Sequence, residues 1–131
     1  MRTAPMPRED TDRLEVARRF QNALEHAAKT GDWTSVYPCL ATEVEWVTQV
    51  RELSGLEQVE HDLTWASPPE HLELEFQAGQ WVDLGEGRAA VGVHETYRVK
   101  GSGDFAYRRK LRIEVTIRDG KVCRYEMKIV G

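Results

Sequence analysis

Glu95 and Arg109 are the residues whose type and position point most directly to chemistry. Glu95 interrupts the alternating series Ala89, Val91, Val93, Glu95, Tyr97, and Arg109 interrupts the series Phe105, Tyr107, Arg109, Leu111, Ile113. A period of two places each series on one face of a strand, so both charges are directed at an apolar interior. A lone buried charge is costly, whereas two opposite charges offset one another. In such a setting a carboxylate can accept a proton, and a guanidinium can stabilise negative charge developing on a substrate oxygen. The same two residues also suit a structural ion pair, with Tyr97, Tyr107 or Tyr125 satisfying the remaining lone pairs and protons. Both readings remain open at this level.

Other candidates surround this pair. Trp46 and Thr48 share a strand face and are expected to wall the interior, and Phe76 is expected beside Glu95; Trp65 is a further aromatic candidate. Trp81 alternates onto the outer face with Glu73, Glu75 and Gln77, where an exposed tryptophan suggests a subunit contact. His26 and His61 fall off the apolar stripes of their helices, and His94 points outward. His71 opens a strand after Pro69. No histidine pair has metal-ligand spacing, and Cys39 and Cys123 form no CxxC motif, so they read as buried thiols and neither a metal nor a cofactor is expected.

The elements that must position these residues follow from periodicity and turn chemistry. Residues 1–10 carry Pro5, Pro7 and mixed charge without periodicity, which predicts a mobile arm ahead of one domain over 11–131. Asp12 and Glu15 open a first helix whose stripe is Leu14, Ala17, Phe20, Leu24 and Ala27, and Gly31 closes it. Asp32 and Thr34 cap a predicted second helix of about two turns, carrying Trp33, Val36, Tyr37 and Leu40 and limited by Pro38. A short strand follows from Glu43, with Val44, Trp46 and Thr48 on one face. Ser54 and Glu57 form a capping box for a third helix with the stripe Leu56, Val59, Leu63 and Ala66, ended by Pro68-Pro69.

Beyond Pro69 the chain alternates almost throughout, with turns at Gly85-Glu86, Gly101-Ser102-Gly103 and Asp119-Gly120, which predicts four long antiparallel strands. Matching apolar faces sets the register. Val82 is expected opposite Ala89, Ala78 opposite Val93, Phe76 opposite Glu95 and Leu74 opposite Tyr97. Val99 should meet Phe105, Tyr97 Tyr107, Glu95 Arg109 and Val93 Leu111. In the last hairpin Val115 should meet Cys123, Ile113 Tyr125 and Leu111 Met127. Three helices covering one face of a twisted antiparallel sheet make an α+β layer arrangement.

Composition narrows the partners. The 131 residues carry 18 basic and 22 acidic side chains, for a net charge of −4. That balance disfavours nucleic acid and anionic lipid. No run approaches the roughly 20 apolar residues of a membrane span, and no secretory signal precedes the domain, which points to a cytoplasmic protein. Arg98, Lys100, Arg108, Lys110, Arg112 and Arg118 read as a solvated outer face, partly offset by Glu73 and Glu75.

The order of elements and four strings resemble the nuclear transport factor 2-like superfamily, in its polyketide-cyclase-like (SnoaL-like) branch. The strings are Lys29-Thr-Gly-Asp-Trp33, Leu40-Ala-Thr-Glu-Val-Glu-Trp46, Ser54-Gly-Leu-Glu-Gln-Val59 and Arg118-Asp-Gly-Lys-Val-Cys-Arg124. The resemblance implies a conical half-barrel with one pocket on its concave face and an outer sheet face that often dimerises. It also implies an acidic base in the pocket of the enzymatic members. The isomerase-type acids would fall near Thr48 and Ile113, neither of which is acidic, and an epoxide-hydrolase-like site needs two acids around an arginine where this chain offers Glu95 and Arg109. The expectation is a homodimer binding a small, apolar, oxygen-bearing molecule near Glu95, Arg109, Trp46, Thr48, Phe76, Tyr97, Tyr107 and Tyr125. Such a protein serves either as a cofactor-free acid/base enzyme (isomerase, cyclase, dehydratase or epoxide-hydrolase-like) or as a carrier, sensor or dimerisation module.

Overall fold

The computed structural model describes residues 8–64, 66 and 69–131, with side chains from Arg13 onward. Most of the expected arm, as well as Trp65 and Pro68, lies outside the described residues. Helix α1 (Arg8–Thr30) starts ahead of Asp12. It buries Ala17, Phe20, Ala23, Leu24 and Ala27, a stripe at helical spacing. Gly31 ends it at φ 82°, its N–H donating to the Ala27 carbonyl.

The expected second helix is replaced by a single 3₁₀ turn over Tyr37–Cys39. Asp32 does cap, accepting from the Thr34 N–H at 3.0 Å. The chain then makes only three-residue bonds, from Val36 N–H to the Trp33 carbonyl and from Cys39 N–H to the Val36 carbonyl. Pro38, which lacks an N–H, stops any further turn. Among the described residues there are therefore two α-helices, not three.

Strands β1 (Leu40–Val47) and β2 (Glu52–Ser54) form a hairpin that leads into α2 (Leu56–Leu63). The capping box through Ser54 and Glu57 does not form. Gly55, at φ 89°, is the N-cap, and the Gln58 side chain reaches back to accept from the Ser54 N–H at 2.7 Å. The helix stops at Leu63, ahead of Pro68-Pro69.

The remaining strands are β3 (Leu72–Ala78), β4 (Val82–Gly85), β5 (Arg88–Val99), β6 (Phe105–Arg118) and β7 (Lys121–Ile129). They form one seven-stranded sheet in the order β2-β1-β7-β6-β5-β3, with β4 also pairing β5. The sheet is mixed rather than wholly antiparallel, because β1 runs parallel to β7. Both helices cover one face, on which Phe20, Val36 and Val59 meet Val44, Val93, Val115 and Val122 in a single core. No helix among the described residues is long and apolar enough to cross a membrane.

The expected register holds at the centre and slips at the ends. Ala78↔Val93, Phe76↔Glu95, Leu74↔Tyr97, Glu95↔Arg109 and Val93↔Leu111 all pair as anticipated. Val82 meets Ala90 instead of Ala89: the turn residues are Glu86 and Gly87, both at positive φ, which moves the register by two, and an irregularity between Asp83 and Gly85 takes one back. Phe105 pairs Arg98 across an irregularity after Tyr97. In the last hairpin Val115 meets Tyr125, Ile113 meets Met127 and Leu111 meets Ile129. Asp119 and Gly120 make a tight two-residue turn with both φ values positive, which moves the register by one from the expected one, and a bulge at Thr116 and Ile117 moves it by one more. A shift of two keeps every side chain on its face.

Trp81 departs most from expectation. Gly79 and Gln80 break the long predicted strand, the alternation resets, and Trp81 turns inward to 8% exposure with its Nε1–H donating to Gln21 Oε1 at 2.7 Å. It offers no contact on the outer face.

Candidate functional site

Glu95 is the buried acid of the core, at 5% exposure, held on β5 between Val93 and Tyr97. Arg109 lies directly opposite on β6. Its Nη2 and Nε both donate to Glu95 Oε1, at 2.7 and 3.0 Å, and the Tyr97 hydroxyl approaches the same oxygen at 3.5 Å. Among the described residues no hydrogen bond reaches Glu95 Oε2. Burial alone would lower the Arg109 pKa, but the hydrogen bonds and charge of Glu95 outweigh it and raise it. The guanidinium stays cationic at any working pH.

Two tyrosines share this environment. Tyr97 stacks on Tyr107 at 4.5 Å between ring centroids, and its pKa is pushed up to about 12, chiefly by burial and then by the charge of Glu95. Tyr125 is buried, and burial followed by Glu95 raises its pKa as well. Both hydroxyls keep their protons near neutrality.

Tyr125 also belongs to a cavity. Its ring stacks on Trp46 at 3.9 Å, Trp33 meets Trp46 edge-on at 6.3 Å, and Phe20 closes the cluster from α1. Trp33, Trp46 and Tyr125 wall a cavity of about 400 Å³, completed by Leu53, Leu63 and Met127. Its polar groups are Thr48 and the ion pair between Arg51 and Asp62, at 2.9 Å.

Of the residues expected at a site, Trp46, Thr48 and Tyr125 line this cavity. Glu95 and Arg109 form their pair on the same inner face without lining it, and Tyr125 is the residue common to both groups. Phe76 is core beside Glu95, and Tyr107 stands 42% exposed over Tyr97. Trp33, Arg51 and Asp62 were not anticipated as lining. Trp33 had a sequence signal, since it ends the Lys29–Trp33 string, but its indole Nε1–H donates to the Ala66 carbonyl at 3.1 Å across a gap of 33 residues that no local pattern reveals. His26, His61, His71 and His94 are all exposed, and Cys39 and Cys123 are half-buried. Among the described residues no group of three or more histidines, cysteines or acids is placed to hold a metal ion.

No protein-family model matches the chain, and no curated protein matches it in sequence. Solved structures do match it in shape. A nuclear transport factor 2-like protein from Anabaena variabilis aligns over 100% of this chain and 96% of its own, with a TM-score of 0.73 at 14% identity. The chain has the nuclear transport factor 2-like fold. A second protein of that fold, from Burkholderia xenovorans, covers 92% of this chain and 90% of its own at a TM-score of 0.67 and 20% identity. An LEH-like epoxide hydrolase from M. tuberculosis covers 92% and 84%, at a TM-score of 0.67 and 10% identity. The nuclear transport factor 2-like fold thus arises here from a sequence that shares about one residue in five or fewer with these structures. At the two positions where resemblance placed isomerase-type acids, Thr48 lines the cavity and Ile113 is buried core.

Proposed function

We propose that the protein binds a small, largely apolar, oxygen-bearing molecule in the aromatic cavity of the inner sheet face. The observation that carries this reading is the composition of the cavity: about 400 Å³, with indole and phenol walls and a few polar groups at defined points. Ligand sites of this size are typically apolar with a small number of orienting polar groups. The rings of Trp33, Trp46 and Tyr125 suit a flat apolar body. The Thr48 hydroxyl and the Arg51 guanidinium suit an oxygen atom at its edge. A small-molecule enzyme, the epoxide hydrolase, has the same fold, which supports a small-molecule occupant.

The test uses 2-naphthol as the probe, with naphthalene as its oxygen-free counterpart, followed by quenching of tryptophan emission. Saturable quenching by 2-naphthol, weakened by Trp33→Ala and retained in Trp81→Phe, is the expected result. Thr48→Val should erase the preference for 2-naphthol over naphthalene. Absence of saturable quenching up to the solubility limit of 2-naphthol would overturn the reading.

A second reading, acid/base catalysis without a cofactor, is favoured by one observation: Glu95 Oε2 receives no hydrogen bond among the described residues, while Oε1 is fully engaged. In this reading Oε2 takes a proton from carbon beside a ligand carbonyl, and Arg109 offsets the charge left on the oxygen. The α-protons of 2-tetralone should then exchange in D₂O faster than in buffer, and Glu95→Gln should remove the acceleration. If the wild-type protein gives none, catalysis is excluded for this probe and the binding reading stands alone.

A further inference from the structure

We infer a second binding site, for a small organic oxyanion, in the cleft between α1, the segment 35–39 and the turn joining β6 to β7. The cleft has a volume of about 530 Å³ and shares no lining residue with the aromatic cavity. Its charged and titratable lining groups are Arg19, His26, Lys121 and the Cys39 thiol, with no carboxylate among them. In a chain of net charge −4 this is a local reversal of sign.

The cations are held differently. Lys121 is anchored, its Nζ donating to the Pro38 carbonyl at 2.7 Å on the wall of the cleft. Arg19 makes no hydrogen bond or ion pair among the described residues, so its fork of donors is available to a ligand. Both act on the same point. Burial pushes the Cys39 thiol up, and the charges of Arg19 and then Lys121 pull it back. Two cations that converge on one sulfur also converge on an anion placed beside it.

The nearby acids do not cancel this field. Asp32 is engaged by the Thr34 hydroxyl and backbone and lies 3.8 Å from His26, and Asp119 projects from the turn without lining the cleft. Val16, Ala23 and Pro38 supply an apolar floor, and Asn22 and Ser35 are neutral hydrogen-bonding groups. The ligand is therefore a carboxylate or phosphate monoester with a short apolar body.

The Cys39 thiol is the reporter. Alkylation by anionic iodoacetate and by neutral iodoacetamide is measured at Cys39 by peptide mass spectrometry, and the ratio of the two rates is compared with that of N-acetylcysteine. Using the ratio removes the effect of the raised thiol pKa. The expected ratio is about fivefold or more above the free thiol at low salt, falling toward it in Arg19→Gln and in Lys121→Gln. Benzoate and phenyl phosphate serve as ligands, and whichever protects Cys39 from iodoacetamide saturably identifies the headgroup, with benzyl alcohol giving no protection. A ratio equal to that of the free thiol, one unchanged by Arg19→Gln, equal protection by benzyl alcohol, or no protection by either anion up to about 10 mM would each overturn the site.

Discussion

Strands β5 and β6 are joined by two ion pairs of the same length on opposite faces of the sheet. Glu95 and Arg109 meet at 2.7 Å on the inner face, with side-chain exposures of 7% and 35%. Arg88 and Glu114 also meet at 2.7 Å, on the outer face, with exposures of 43% and 22%. The strands, the charges and the distances match, so the difference between the pairs is access to water. Glu114 has a second partner in Arg112 at 3.6 Å and water around all three. Glu95 has Arg109 and two tyrosines. An exposed pair contributes up to about 1 kcal/mol, whereas breaking a buried pair leaves a charge that the interior cannot solvate.

The widest separation between the two faces should come from Arg109→Ala. Loss of the guanidinium leaves Glu95 buried without its cation, at a cost of about 2–4 kcal/mol, the lower end allowing for the exposed part of Arg109. Arg108→Ala and Lys110→Ala, exposed neighbours on β6, should stay within about 0.5 kcal/mol of wild type. Urea denaturation of the three variants decides it, and similar small effects would show that water already reaches Glu95. The double variant E95Q/R109M sharpens the point: it should recover most of the lost stability, because no charge then remains buried.

Alkaline pH should weaken the inner face selectively. Tyr97 in the folded protein titrates at about 12, above its ordinary value, and Tyr125 is also raised. Above about pH 10 the unfolded chain loses these protons first, so it binds fewer than the folded one and stability falls as pH rises toward 12. Below pH 10 the contribution is complete. Circular dichroism across pH 9–12 should show unfolding that moves to higher pH in Tyr97→Phe; an unchanged midpoint would mean that the hydroxyl is already solvated.

The smallest effect belongs to the outer face. Arg88→Ala should cost about 0.5 kcal/mol at low salt and nothing measurable in 1 M NaCl, whereas the cost of Arg109→Ala should persist there. A cost for Arg88→Ala that survives high salt would erase the distinction between the faces.

The inner pair was legible in the sequence because strand alternation is a local signal and the apolar faces around Glu95 and Arg109 match in one register. Turn residues were legible as turns but not in their spacing. The bulge at Thr116 and Ile117 has no composition of its own, yet together with the two-residue turn at Asp119 and Gly120 it moved the last hairpin by two. Trp81 was misread because Gly79 and Gln80 reset the alternation, and its hydrogen-bond partner, Gln21, is 60 residues away. The second helix failed where local rules competed: Asp32 capped as its chemistry dictates, but Pro38 left too little chain to propagate. The aromatic cavity was half visible. Trp46, Thr48 and Tyr125 lie on strands with clear faces, while Trp33, Arg51 and Asp62 come from a turn, a loop and a short helix that meet only in three dimensions.

The parallel seam between β1 and β7 also governs the order in which the protein can be made. Glu45 faces Arg124 across it, with a side-chain bond of 2.7 Å, although 79 residues separate them. On the ribosome β1 emerges early and finds only β2 to pair with; its other edge waits until residues 121–129 have been translated. The β3 to β6 part of the sheet, by contrast, joins strands that follow one another closely and can assemble as they appear. Contacts so distant along the chain are slow to form, because a long loop must close before they are rewarded. The aromatic wall of Trp46 and Tyr125, which bridges this seam, can therefore form only after β7 has emerged, and the nascent chain carries no finished cavity before then.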